Sequence, residues 1–146
     1  MSKDIDILKY KDYLIIEKKE GKNFLFDSIR KKFVAFTPEE MVRQLFILYL
    51  VKEKKISKKH IAVEKQIQMS NEKYRFDILV FNKRGQPNII VECKSHKVPI
   101  SSKTAIQISK YNQFLKAPFL CLTNGAITKF YKIDFDKETI EELENI

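Results

Sequence analysis

Two short apolar runs flank a charged turn in the stretch YLIIEKKEGKNFLFD, near the start of the chain. That pattern predicts strands over Tyr13 to Glu17 and Asn23 to Phe26, reversed at Glu20-Gly21-Lys22. The segment IRKKFVAF, short and basic, leads into TPEEMVRQLFILYLVKEK, the clearest helix in the chain. Thr37 suits its N-cap, Pro38 its first helical position, and Glu40 the third residue of a capping box. Met41, Val42, Leu45, Leu48 and Tyr49 recur at helical spacing and predict one stripe facing a sheet. After the polar loop KEKKISKK, strands are expected over HIAVEKQIQM, YRFDILVFN and NIIVECK, with KRGQP as the turn between the last two. A second helix, capped by Ser101 or Ser102, is expected over SSKTAIQISKYNQFLKA. The strand PFLCLTN, an Asn124-Gly125 hairpin turn and the returning strand ITKFYKI follow, and a short acidic helix over 136–145 closes the chain.

Charges interrupt the two most apolar strands, FDILVF and IIVECK. If these pair as an antiparallel hairpin with Phe81 opposite Asn88, Leu79 faces Ile90 and Asp77 faces Glu92. Side chains alternate along a strand, so Asp77, Glu92 and Lys94 share one face while Val91 and Cys93 take the other. Two carboxylates held about 5 Å apart repel by roughly 3 kcal/mol at an effective dielectric of about 20. Lys94, a shared proton or a divalent cation would relieve that repulsion, and a structural salt bridge from Lys94 to one acid is the plain alternative. Mg²⁺ suits such a pair, because it is held by one or two carboxylates together with waters and phosphate oxygens.

Composition narrows the class. The chain has 146 residues, enough for one domain with a real core, and 44% hydrophobic content with only three Gly and four Pro argues against disorder. The formal charge is +9, and residues 133–146 carry six acids and one lysine, which concentrates the positive charge on the rest of the chain. Nucleic acid is the commonest partner of such a surface; a lysine-rich but functionally neutral surface is the bland alternative. Cys93 and Cys121 read as buried reduced thiols, and with His60 and His96 they fit no zinc spacing. No apolar run is long enough to span a bilayer, and the N-terminal MSKDIDILKYKDY has no apolar stretch of a secretory signal, so a cytoplasmic protein is expected, with no membrane partner.

RFDILVF, NIIVECK and QISKY, with TPEEMVRQ before them and PFLCLTNG after, resemble the PD-(D/E)xK nuclease superfamily. More closely they are similar to the N-terminal nuclease domain of type I restriction enzyme R subunits, over about Arg30 to Tyr131. The resemblance implies an α/β (α+β) fold with a restriction-endonuclease-like core over about 30–132: a central mixed sheet of four to five strands flanked by helices in αβββαβ order, after an N-terminal hairpin over 11–28. It implies a Mg²⁺- or Mn²⁺-dependent deoxyribonuclease, with Asp77 and Glu92 as metal ligands and Lys94 as the lysine of the active centre. Gln107 and Tyr111 match the Gln-x-x-x-Tyr motif of related nucleases, although Tyr111 in a buried stripe and Gln107 on the surface is the ordinary reading. Glu40 resembles the helix acid that joins the metal site, a role that competes with its capping of Thr37. Phe76 stands where the superfamily pattern has proline.

DNA is the implied substrate, with Arg30, Lys31, Lys32, Lys54, Lys55, Lys58 and Lys59 as candidate contacts to its backbone. The sequence contains no G-x-x-x-x-G-K-[S/T], so no ATP site is expected and a separate targeting or motor subunit is an implied partner, with a homodimer also compatible. Two readings of other classes compete: a non-catalytic nucleic-acid-binding or assembly module that keeps the nuclease fold, and a basic protein that binds acidic proteins.

Overall fold

The computed structural model describes residues 5–146. The tract in which no secretory signal is expected begins at residues 1–4, outside the described residues. A 3-10 helix over Ile7–Tyr13 comes first, so the predicted first strand starts later: β1 spans Ile16–Lys19 and β2 Lys22–Asp27, turned at Glu20 (φ 52°) and Gly21 (φ 77°). IRKKFVAF supplies a third strand, β3 (Lys32–Ala35), antiparallel to β2. The intervening turn is closed by Asp27, whose Oδ1 accepts from the N–H groups of Ile29 (2.8 Å) and Arg30 (2.9 Å), and by Lys31 at φ 56°.

α1 (Pro38–Lys52) begins as predicted, with Thr37 Oγ1 accepting from the Glu40 N–H at 3.0 Å. It is buried nearly all round rather than along one stripe. Val42, Leu45, Phe46, Ile47, Tyr49 and Leu50 are all buried, and so are Glu40, Arg43 and Gln44. The cause is contact on two sides, since the 3-10 helix and β2 pack against α1 as well as β6 of the large sheet.

A second 3-10 turn, Lys58–His60, leads into β4 (Ile61–Met69), followed by β5 (Glu72–Phe81) and β6 (Pro87–Cys93) as an antiparallel meander. α2 (Ser102–Tyr111) crosses over to β7 (Phe119–Thr123), which pairs parallel with β6, as a crossover helix permits. It is shorter than expected, because the Asn112 side chain folds onto Ala117, accepting from its N–H (2.9 Å) and donating to its carbonyl (2.8 Å). β8 (Thr128–Asp134) returns through the Asn124-Gly125 turn, where Asn124 Oδ1 accepts from the N–H groups of Ala126 and Ile127 and Gly125 takes φ 93°.

Two expectations are corrected here. Residues 139–143 form no helix but β9 (Thr139–Leu143), antiparallel to β8, with Glu141 opposite Lys132. The central sheet accordingly has six strands, in the order β4-β5-β6-β7-β8-β9, instead of four to five. From α1 to β7 the order of elements is helix, three strands, helix, strand. Two apolar layers cover the sheet. Ile78, Val80, Ile89, Val91 and Cys93 meet α1, whereas Leu79, Ile90, Leu120 and Leu122 join Ala105 and Ile108 of α2. Among the described residues, no helix is long and apolar enough to cross a membrane.

Candidate active site

The β5–β6 register matches the sequence expectation at Leu79↔Ile90, and slips by one at the turn, where a bulge sets Phe81 opposite Pro87 instead of Asn88. At the other end the ladder's last pair is Ile78↔Val91, one step short of Asp77 and Glu92. There the Asp77 side chain takes the place of a backbone acceptor: its Oδ2 accepts from the Cys93 N–H at 2.8 Å. β6 meanwhile follows β7, the Lys94 N–H donating to the Thr123 carbonyl at 2.8 Å. Asp77, Glu92 and Lys94 are therefore collected where β5 and β6 part.

Both acids are held above their ordinary range. Burial lifts Asp77, against the pull of the Cys93 N–H, Arg43 and Lys94. Burial lifts Glu92 further, to about 8, helped by the charge of Asp77 and opposed by Lys94 and Arg43. Glu92 Oε2 is buried with no hydrogen-bond partner. Such an oxygen beside a second carboxylate is short of either a proton or a cation.

Arg43 and Glu64 belong to the same cluster, though the sequence pattern does not single them out. The Arg43 guanidinium, from α1, lies 3.5 Å from Asp77 Oδ1, 3.2 Å from Glu64 Oε1 and 3.6 Å from Glu40 Oε2. Arg30, from the turn after β2, reaches Asp27 (2.6 Å), Glu40 (2.6 Å) and Glu64 (3.1 Å). The only trace of this in the sequence is an arginine set among apolar helix residues, with an acid three positions before it.

Other expected residues fall in different places. Glu40 is taken up by Arg30, Arg43 and the Gln44 amide (3.2 Å), while the exposed Glu39 is the α1 acid whose charge reaches Asp77 and Glu92. Tyr111 stacks on Tyr74 (centroids 4.0 Å apart, planes 13° apart), and the Tyr74 phenol is raised by burial and then by Glu92 and Asp77. Tyr111 thus approaches the acids through Tyr74, and Gln107, on the same helix, is exposed. Arg30 is occupied by its three carboxylates, and Lys54 donates to Asn145 Oδ1 (2.7 Å) and the Ile146 carbonyl (2.5 Å). Lys31, Lys32, Lys55, Lys58 and Lys59 are exposed.

Asp77 and Glu92 offer carboxylate oxygens, the donor type a hard divalent ion takes. Arg43 and Lys94 oppose the charges of Asp77 and Glu92, whereas Glu39 adds to them. Among the described residues no three of His, Cys, Asp and Glu converge as metal ligands do, and Asp77 and Glu92 are the two acids at the fork that could hold an ion.

Fold and site together define an α+β protein with a buried and a half-buried carboxylate and an amine at the fork of a mixed sheet. The chain belongs to the family described as type I restriction enzyme R protein N terminus, whose model matches residues 38–146, from the start of α1 through β9. No curated protein matches the chain.

Proposed function

We propose that the chain is a metal-dependent endonuclease that hydrolyses DNA phosphodiester bonds from a restriction-endonuclease-like core. One observation carries this reading: a buried Glu92 oxygen without a partner, beside Asp77 and Lys94, at the open end of two central strands. The helix, three strands, helix, strand order and membership in a restriction-enzyme family support it.

Asp77 and Glu92 would hold Mg²⁺ or Mn²⁺. When bound, such an ion acidifies a water and neutralises charge on the phosphate. Asp77 keeps its attitude through the Cys93 N–H, which fixes one oxygen against β6. Lys94 places an ammonium beside the pair, where it orients a water for attack and stabilises the negative charge that grows on the phosphate. Tyr111, stacked on Tyr74, lines the approach to the acids, and Gln107 lies one turn earlier on α2 at a position exposed to substrate. Exposed lysines on the β2–β3 turn and the loop before β4 supply sequence-independent grip on the DNA backbone. A separate subunit supplies targeting or translocation, and the cytoplasm is the expected compartment.

Incubation of supercoiled plasmid with the chain and Mg²⁺ or Mn²⁺ should relax or linearise it, and chelator should stop the reaction. Glu92→Ala and Lys94→Ala should each lose cleavage by at least about 100-fold while DNA affinity stays within about threefold, as expected when groups acting on the transition state are removed. Cleavage by either variant at the parent's rate would remove this site. DNA binding by the parent without any cleavage would leave a non-catalytic binding module.

A further inference from the structure

We propose that Arg43 is a positioning residue: clamped by Glu64 and Glu40, it fixes the plane of the Asp77 carboxylate so that Asp77 and Glu92 can share one cation. The proposal rests on the nuclease reading and adds a residue and a geometry to it.

Asp77 has two oxygens and two restraints. Oδ2 accepts from the Cys93 N–H at 2.8 Å, and Oδ1 faces Arg43 Nη2 at 3.5 Å. The second distance is too long for a hydrogen bond, so it steers Oδ1 by charge and leaves its lone pairs free for a ligand. Arg43 is itself only 7% exposed, and its Nε and Nη1 lack hydrogen-bond partners, although Nη1 stands 3.2 Å from Glu64 Oε1. Its attitude is thus set by the carboxylates around it. A rigid planar fork keeps its donors in fixed directions, whereas an ammonium is a compact charge on a flexible stem.

Glu64 shows that the chain is shaped for this contact. It lies directly across from Asp77, between the paired positions Val63↔Ile78 and Lys65↔Phe76, yet the Glu64–Asp77 step of the ladder is missing. Glu64 takes φ 55°, a left-handed conformation that a residue with a side chain adopts at a cost inside a strand. β5 turns over at the same point: Phe76 packs in the α2 layer and Ile78, two residues on, in the α1 layer. Both strands therefore distort at the Glu64–Asp77 step, and the distortion delivers the Glu64 carboxylate to Arg30 and Arg43.

Charge and positioning predict opposite signs, which makes the test decisive. If Arg43 were only a positive charge near two carboxylates, Arg43→Gln would tighten the binding of a divalent cation. If it positions Asp77, the same change weakens it. Mn²⁺ alone, titrated into the full chain and followed by electron paramagnetic resonance, should bind Arg43→Gln and Arg43→Lys about tenfold more weakly than the parent. Cleavage at saturating Mg²⁺ should fall by a similar factor. Glu64→Asp, which keeps the charge and shortens its reach to Arg43, should weaken Mn²⁺ binding in the same direction where charge alone predicts no change, and stands in should the Arg43 variants fail to melt cooperatively. Mn²⁺ bound by the folded variants as tightly as by the parent, or more tightly, overturns the positioning role and leaves the nuclease reading intact. A parent that neither binds Mn²⁺ nor cleaves DNA overturns both.

Discussion

Glu92 is the carboxyl that the fold lifts to about 8, by burial and by the charge of Asp77. Its carboxyl titrates near 4.5 when the chain is unfolded and near 8 in the fold, where burial and Asp77 oppose its charge. The folded state therefore holds the proton more tightly than the unfolded state across that interval. The stabilising effect is fully present below about 4.5 and is lost as pH rises through about 8. Glu92→Gln cannot ionise, so without metal it should melt higher than the parent at pH 8, by a few degrees at about 2–4 °C per kcal/mol for a chain of this size. The gap should close near pH 4.5, and added Mg²⁺ should raise the melting temperature of the parent and leave the variant unmoved. Differential scanning calorimetry at the two pH values checks this. A variant that melts below the parent at pH 8 would mean that the buried oxygen is already satisfied.

Between single residues and the whole fold lie the elements, and their legibility in the sequence follows a physical rule. The β5–β6 hairpin could be read because two apolar runs and a KRGQP turn leave few registers, and Leu79↔Ile90 holds. The bulge at Phe81 could not, since nothing in a turn sequence fixes where one residue is left over. α1 was legible as a helix from its cap, but its burial was not: periodicity reports one packed face, and here the 3-10 helix and β2 cover the rest. TIEEL has helix-forming residues, yet it pairs antiparallel with β8 over its whole length, a tertiary pairing that overrides local propensity. Asp77, Glu92 and Lys94 were legible as charges in apolar strands, whereas Glu64 and Arg43 meet only after three elements have packed. Arg30 ties that packing together, joining Asp27 at the end of β2, Glu40 on α1 and Glu64 on β4. Arg30→Ala would leave the fully buried Asp27 without its cation and should cost about 3 kcal/mol. Asp27 is lifted by burial but pulled below its ordinary range by hydrogen bonds from Arg30 and Ile29, and Glu64, also lifted by burial, is pulled down by the positive charges of Arg43 and Arg30. Stability from groups shifted in that direction is present above their ordinary values and lost as pH falls. The Arg30→Ala deficit should therefore be largest at neutral pH and shrink in acid, a trend that thermal melts from pH 7 to pH 3 would show or refute.

At the scale of the whole molecule, a formal charge of +9 must coexist with a cluster of carboxylates at its centre. The acids of the C-terminal segment lie partly against the basic strand β8, so they offset charge at the sheet edge rather than over the exposed lysines. The exposed lysines proposed to grip DNA form two groups. Lys31 and Lys32 follow Arg30 and are carried to the carboxylate cluster by it, whereas Lys55, Lys58 and Lys59 precede β4, whose first residue pairs with Val80. Val80 is three strand positions from Asp77, about 10 Å along β5. On the proposed nuclease reading, a duplex with its scissile phosphate at the fork would run past these lysines, and contacts remote from the reacting bond contribute affinity without contributing to the chemical step. Replacing Lys55, Lys58 and Lys59 together with alanine should weaken DNA binding at low salt. Each phosphate contact removed should flatten the slope of log affinity against log salt by about 0.9. Cleavage at saturating DNA should stay close to the parent's, the converse of Lys94→Ala, which keeps affinity and loses rate. Fluorescence anisotropy with a labelled duplex between 50 and 200 mM salt, run beside single-turnover cleavage, separates the two. An unchanged salt slope in the triple variant would show that DNA does not follow this track, and would shift the backbone contacts to the β2–β3 turn.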